Sequence, residues 1–312
     1  DPNRGETTFE YDAAGNMVRQ TDARGVTRAR SIDGLNRVSA QWDPADEDGT
    51  RIEFTYDDAT DCPSGRCTNP EGQLVSISYP TKNGRRQDWF GYDHDGVGIY
   101  IGREMDGYLY EVTTELDAAG NTRRVTYPGG FAFEFVRDVA GRITSVPGYL
   151  DEVLYDASGV PEQFLMSNGV TTTISQDSLQ RIQSIRVGTS DAEVLSLEYT
   201  RDRLGNVLEV STQHGDGTKP TAAAQYEYDA LYRVTGATLD PSTSLEERLT
   251  IAYDAIDNIV SKTSDLGGES AAHMAEYSYA ATGPSAVTSA GGRSYGYDAA
   301  GYMTSRGEDT MS

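Results

Sequence analysis

One short motif, Tyr-Asp-x-x-Gly followed by Asn or Arg and then an aliphatic residue, returns along almost the whole chain. No other feature restricts the fold as strongly, because a unit of about twenty residues that recurs in register must stack on its own neighbours. It stands as Phe9-Glu10-Tyr11-Asp12-Ala13-Ala14-Gly15-Asn16-Met17 and again as Tyr295-Gly296-Tyr297-Asp298-Ala299-Ala300-Gly301-Tyr302-Met303. Between these lie Tyr56-Asp57, Tyr92-Asp93, Tyr155-Asp156-Ala157-Ser158-Gly159, Tyr228-Asp229 and Tyr253-Asp254. Other copies keep the aspartate and lose the tyrosine: Asp117-Ala118-Ala119-Gly120, Asp138-Val139-Ala140-Gly141, Asp177 and Asp202-Arg203-Leu204-Gly205. A copy at Tyr279 has Ala280 in the aspartate slot. Successive copies lie 18 to 27 residues apart, except for the 36 between Asp57 and Asp93. That wide interval holds Cys62, Cys67 and Asn69-Pro70-Glu71-Gly72-Gln73-Leu74, which reads as one more degenerate turn.

Each part of the unit has a physical role. Apolar or aromatic residues at i and i+2 share one face of a strand. The aspartate opens a turn, since its carboxylate can accept backbone N–H bonds two residues on. The glycine allows a positive φ. An aliphatic residue then opens the return strand, so each copy predicts a β-hairpin. The return strands carry apolar residues three apart (Ile143 and Val146, Ile182 and Ile185, Val207 and Val210), whereas alternation gives two or four. A bulge or a strand buried on both faces accounts for this equally well. Further turn signals fall half a period later, among them Asp22-Ala23-Arg24-Gly25, Asn83-Gly84, Asn168-Gly169 and Asp216-Gly217. Helix candidates are confined to Ala222-Ala223-Ala224 and residues 270–275. Residues 188–193 resemble a linker, but hairpins resume on both sides. The expectation is an all-β fold of antiparallel hairpins, in one array over residues 1–312.

Asp and Glu number 49 against 26 Lys and Arg, a net charge of −23. That balance argues against nucleic acid and anionic lipid as partners, since both attract clustered basic residues. No apolar run approaches the roughly 20 residues of a membrane-spanning helix. The nucleophile elbow, zinc-protease and phosphate-loop motifs are missing from the sequence. The repeated aspartates already have a structural role, so no catalytic residue and no cofactor are assigned. Asp43, Asp46 and Asp48, beside Glu47 and ahead of Gly49, offer hard oxygen ligands that suit Ca²⁺. A solvated acidic turn explains the same residues without a metal. Cys62 and Cys67 flank Pro63 and Gly65 and either close a small disulfide loop or remain two thiols. The tyrosines form a ladder across hairpins or present a surface to a partner or glycan; their recurrence in register favours the ladder.

The repeated Tyr-Asp-x-x-Gly-[Asn/Arg]-aliphatic unit, clearest at Tyr11-Asp12-Ala13-Ala14-Gly15-Asn16-Met17, resembles the YD repeat of RHS proteins. That family includes the B and C components of bacterial Tc toxins, polymorphic toxins and the animal teneurins. The resemblance implies a curved, spiralling sheet forming part of a hollow shell, secreted or displayed at a cell surface. It implies two partners: the rest of the shell and an enclosed C-terminal toxin domain. Self-association through open sheet edges is also expected. The Asp-Pro pairs at Asp1, Asp43 and Asp240 lack the context of the family's self-cleavage segment. Under this resemblance the chain is expected to be a piece of a longer protein. The alternative is an adhesion module that binds a protein or glycan.

Overall fold

The computed structural model describes residues 3–63, 65–215, 222–241, 243–269, 274–281 and 283–310. The Asp1-Pro2 pair, the Asp216-Gly217 turn and residues 270–273 of the second helix candidate lie outside them. The chain divides into two compact units, Asn3–Arg142 and one that begins at Ile143. In the first, eleven strands from Thr8–Tyr11 to Ala132–Glu134 form one sheet in sequence order. In the second, fifteen strands from Leu150–Tyr155 to Asp309–Thr310 do the same. Within each sheet, every strand between the two end strands pairs antiparallel with the strands before and after it, as hairpins joined by short turns require.

The turn is uniform in all copies but those at Asp57 and Tyr279. At Asp12 the backbone carbonyl accepts the Gly15 N–H at 3.1 Å, and the Asp12 N–H donates to the Asn16 carbonyl at 3.0 Å. Gly15 sits at φ 87°. In four copies a larger residue occupies that slot at positive φ: Asn36, Gln180, Tyr232 and Asp257. Tyr232 is 57% exposed at φ 62°, so it keeps the strain and gains little packing. Tyr232→Gly is therefore expected to raise the denaturation midpoint, by about 1 kcal/mol of stability. A fall of the midpoint would contradict this.

The three-residue spacing of the return strands comes from a bulge. Arg201 faces Val207 and Thr200 faces Glu209, which leaves Leu208 as an extra residue. The extra residue restores Val210 to the face of Val207. The same shift at the second residue of the return strand recurs in the hairpins that carry the repeat's turns.

Four local expectations are revised. Ala222-Ala223-Ala224 opens the strand Ala222–Tyr228, where alternate residues face opposite sides and small side chains fit as well as in a helix. Ala275 of the second helix candidate opens the strand Ala275–Tyr279. A four-residue helix, Glu47–Thr50, stands where a solvated acidic turn was expected, with Asp46 as its N-cap and none of its residues buried. The segment at Asn69 does turn, with the Gln73 N–H donating to the Pro70 carbonyl at 2.9 Å and Gly72 at φ 77°, but it closes the Asp57 turn and starts no further repeat. The Asp57 N–H donates to the Gln73 carbonyl at 3.2 Å and Tyr56 pairs with Leu74, so the chain between Asp57 and Gln73 is a lobe inserted into the Asp57 turn. Beneath that lobe lies a cluster of buried side chains: Cys67, Val75, Trp89 and Tyr100.

Candidate functional site: the stapled turn

The repeat concentrates its polar chemistry at the turn and at the tyrosine before it. In each of Asp12, Asp33, Asp93, Asp117, Asp138, Asp156, Asp177, Asp202, Asp229, Asp254 and Asp298, one carboxylate oxygen accepts two backbone N–H groups. The donors lie two and four residues on, at 2.8–3.0 Å. Asp22, at the other edge of the sheet, does the same. The second oxygen takes the side chain four residues on: Asn16 at 2.9 Å, Arg37 at 2.8 Å, Arg181 and Arg233 at 2.7 Å. This is why the residue after the glycine is Asn or Arg. Both donate across that distance.

These bonds favour the charged carboxylate. Asp33, Asp117, Asp138, Asp177 and Asp229 are held below the usual aspartate range, chiefly by the N–H four residues on. For Asp12 and Asp202 the largest cause is the side-chain amide of Asn16 and Asn206.

The tyrosine ties one repeat to the one before it. Its hydroxyl donates to the carbonyl of the residue that opens the previous return strand, next to the bulge. The pairs are Tyr56 to Val38 (3.1 Å), Tyr92 to Leu74 (2.7 Å), Tyr155 to Ile143 (2.6 Å), Tyr228 to Val207 (2.8 Å), Tyr253 to Val234 (2.8 Å) and Tyr279 to Ile259 (2.6 Å). Burial pushes the phenols of Tyr56, Tyr92, Tyr228 and Tyr279 up. Two copies that lack the tyrosine keep the bond. The Arg137 guanidinium donates to the Thr122 carbonyl at 3.2 Å, and that of Arg201 to the Ile182 carbonyl. In a third copy Gln176 occupies the slot, and its Oε1 is buried without a partner. Sequence reasoning missed the arginines because it matched residue names; the shared property is a long side chain with a donor at its tip. Arginines of one repeat also reach the next. Arg37 donates to Asp57 at 2.6 Å and lies over the Tyr56 ring, and Arg233 likewise serves Asp257 and Tyr253.

The acidic segment is taken up by its own backbone. Asp43 accepts the Ala45 N–H at 2.8 Å and Asp46 the Gly49 N–H at 3.1 Å. Asp48 belongs to the short helix. Among the described residues, the acidic group whose ligand atoms lie within 4.8 Å of one another is Asp93, His94 and Asp95, at the surface. Cys62 and Cys67 form a disulfide, with Cα atoms 6.0 Å apart. No helix among the described residues is long and apolar enough to cross a membrane.

A family model described as Teneurin YD-shell matches residues 152–312, just over half of the chain, and one described as RHS Repeat matches residues 1–27. A curated relative is Double-stranded DNA deaminase toxin A of Burkholderia cenocepacia (strain H111). It is 24% identical over 285 residues, which cover 82% of this chain and 18% of that protein. The chain thus spans about a fifth of the length of the curated relative it matches. Among solved structures, the crystal structure of TcdB2-TccC3 matches with a TM-score of 0.74 at 17% identity, over 98% of this chain and 19% of that one. The Photorhabdus luminescens Tc holotoxin pore matches with a TM-score of 0.67 at 19% identity, over 85% of this chain and 15% of that one. At these identities the likeness is one of fold.

Proposed function

Because the chain belongs to the teneurin YD-shell family of RHS-repeat proteins, we propose that it is a wall segment that encloses a toxic domain carried by the same protein. The observation that carries this reading is the staple. A wall must hold each hairpin to the last without a thick core, and the tyrosine or arginine bond does so at eight of the repeats. Enclosure then acts by exclusion: proteases are kept out, and a confined chain lacks the volume to fold. The turn aspartates are engaged by their own backbone, which supports a structural and non-catalytic role. The toxin named among the relatives supports a delivered cargo and an exported protein.

Limited proteolysis of the full protein that carries these repeats tests this reading. The cargo should survive while the wall is intact and be digested when it is opened. Digestion at the rate of the free cargo would refute enclosure.

The strand Thr8–Tyr11 is exposed along its length and pairs on one side with Met17–Thr21. An open edge of this kind accepts another strand. Self-association of the isolated 312-residue segment is therefore expected once salt screens its net charge of −23. A strictly monomeric species in sedimentation at high protein and salt concentration would contradict it.

A second reading, an adhesion surface, draws on one feature. Leu35, Leu179, Leu204, Leu231 and Ile256 sit two residues after turn aspartates and are 57–69% exposed. Aliphatic tips of this kind suit a protein partner better than a glycan. Specific capture of a cell-surface protein by the wild-type chain, lost when the tips are changed to serine, would favour adhesion. Unchanged capture would remove the tips from the account.

A further inference from the structure

We propose that the Cys62–Cys67 bridge is a reducible latch: a dithiol reductant that opens it frees the outer arm of the inserted lobe and uncovers the apolar face of Val75, Trp89 and Tyr100. This goes beyond the wall reading and does not depend on it.

The two halves of the lobe are held differently. The half after Cys67 is hydrogen-bonded to the sheet. The Tyr92 N–H donates to the Thr68 carbonyl at 3.1 Å. The Thr68 hydroxyl and the Asn69 amide both donate to the Tyr92 carbonyl, at 2.6 and 2.8 Å. The Gly72 N–H donates to the Asp57 carboxylate at 2.6 Å.

The half before Cys67 turns its backbone bonds inward, from Cys62 to Ala59 at 3.1 Å and from Gly65 to Cys62 at 3.5 Å. Its ties to the rest of the described chain are few. Arg66 faces Glu111 at 3.8 Å, with both side chains partly exposed. Such a pair holds little in water. The Arg66 carbonyl rests on Gly91, where a methyl group would come within 2.0 Å of it. Ala59 and Cys62 pack against the buried cluster. Among the described residues, the remaining tie is the bridge and the Cys67 N–H that donates to Cys62 Sγ at 3.2 Å. The covalent bond thus fastens a weakly held arm to a segment that is part of the sheet.

The sulfurs differ in access. Cys62 is half-buried between exposed Asp61 and Pro63, whereas Cys67 is buried. A thiolate of the reductant attacks Cys62 Sγ; the S–S bond breaks and its electron pair leaves on Cys67 Sγ. The second thiol of the reductant then attacks its own sulfur in the mixed disulfide. That releases Cys62 as a thiolate and leaves the reductant as a cyclic disulfide. Two electrons have entered the protein, and each cysteine takes up a proton at neutral pH. A Cys67 thiolate beside Val75, Trp89 and Tyr100 would be poorly solvated. It is therefore protonated in place or drawn to water, and the arm is untied in both cases.

The chain has two tryptophans, Trp42 and Trp89. Trp42→Phe leaves Trp89 as the reporter. Treatment of this variant with dithiothreitol should release two thiols, raise acrylamide quenching of Trp89 several-fold and open a trypsin cut after Arg66. The strand signal in circular dichroism should be retained, and reoxidation should reverse all three changes. Adding Cys62→Ser and Cys67→Ser should give the open values without reductant. Reduction is carried out on the folded protein, so the test stands even if that variant fails to fold. Three results would each overturn the latch: two thiols released with Trp89 and Arg66 still protected, a bridge that resists dithiothreitol in the folded chain, or loss of the whole strand signal on reduction.

Discussion

Acidification is expected to unfold the sheets below about pH 4, the ordinary range of an aspartate in an unfolded chain. The turn aspartates have lowered folded-state values, so their contribution is complete above that range. It is lost as pH falls through each lowered value. Protonation turns the acceptor oxygen into a poorer acceptor while two backbone N–H groups still point at it. The effect is repeated along the chain, so it adds up even though each turn lies at the surface. An opposing effect comes from the net charge of −23, whose self-repulsion weakens as carboxylates protonate. Salt screens that long-range repulsion and leaves the short hydrogen bonds in place, so the titration belongs at high salt. There the denaturant midpoint should be level from pH 7 to about 5 and drop steeply below about 4. A midpoint that stays level or rises down to about pH 3 would show that the aspartate bonds do not hold the turns.

Trp89→Ala should be the most damaging single change in the first unit. Trp89 is 6% exposed and packs with Val75, Tyr100 and Cys67, a dense cluster in a sheet whose apolar residues are mostly half-exposed. Removing a buried indole costs about 3–5 kcal/mol through lost transfer energy and the cavity left behind. Trp89 Nε1 is buried without a partner. Trp89→Phe therefore removes an unsatisfied donor along with part of the ring, and should cost much less. In a repeat array each hairpin contacts chiefly its neighbours, so the loss stays local. Chemical denaturation of Trp89→Ala should show an early transition for the unit Asn3–Arg142, with the unit that begins at Ile143 melting at its wild-type midpoint. Equal losses for Trp89→Ala and Trp89→Phe would mean that the cavity is not the cause.

The legible parts of the fold are those whose physics is local. Asp12 and Gly15 act on backbone within five residues, so the turn follows from the motif. The spacing of Val207 and Val210 signals an irregularity, but only the pairing partner shows that Leu208 is the extra residue. The staple is hidden for a different reason. Tyr253 donates to Val234, 19 residues earlier, and nothing local marks that carbonyl as an acceptor. Arg201 conceals it further, since a motif written in residue names discards a donor of another chemical type. The buried cluster is not legible either. Ser76 and Trp89 face each other across two strands, but what buries Trp89 is a lobe inserted at Asp57. The long interval from Asp57 to Asp93 shows that something is inserted there, and not what it covers.

The most direct test of the stapled array is the stability of Tyr253→Phe, which removes one oxygen and keeps the ring beneath Arg233. If the hydroxyl ties this repeat to the last, the Val234 carbonyl loses its donor, and the denaturation midpoint should fall by about 1 kcal/mol of stability. A midpoint equal to that of the wild type would show that the tyrosine serves only as a packed ring, and the bond between repeats would have to be abandoned.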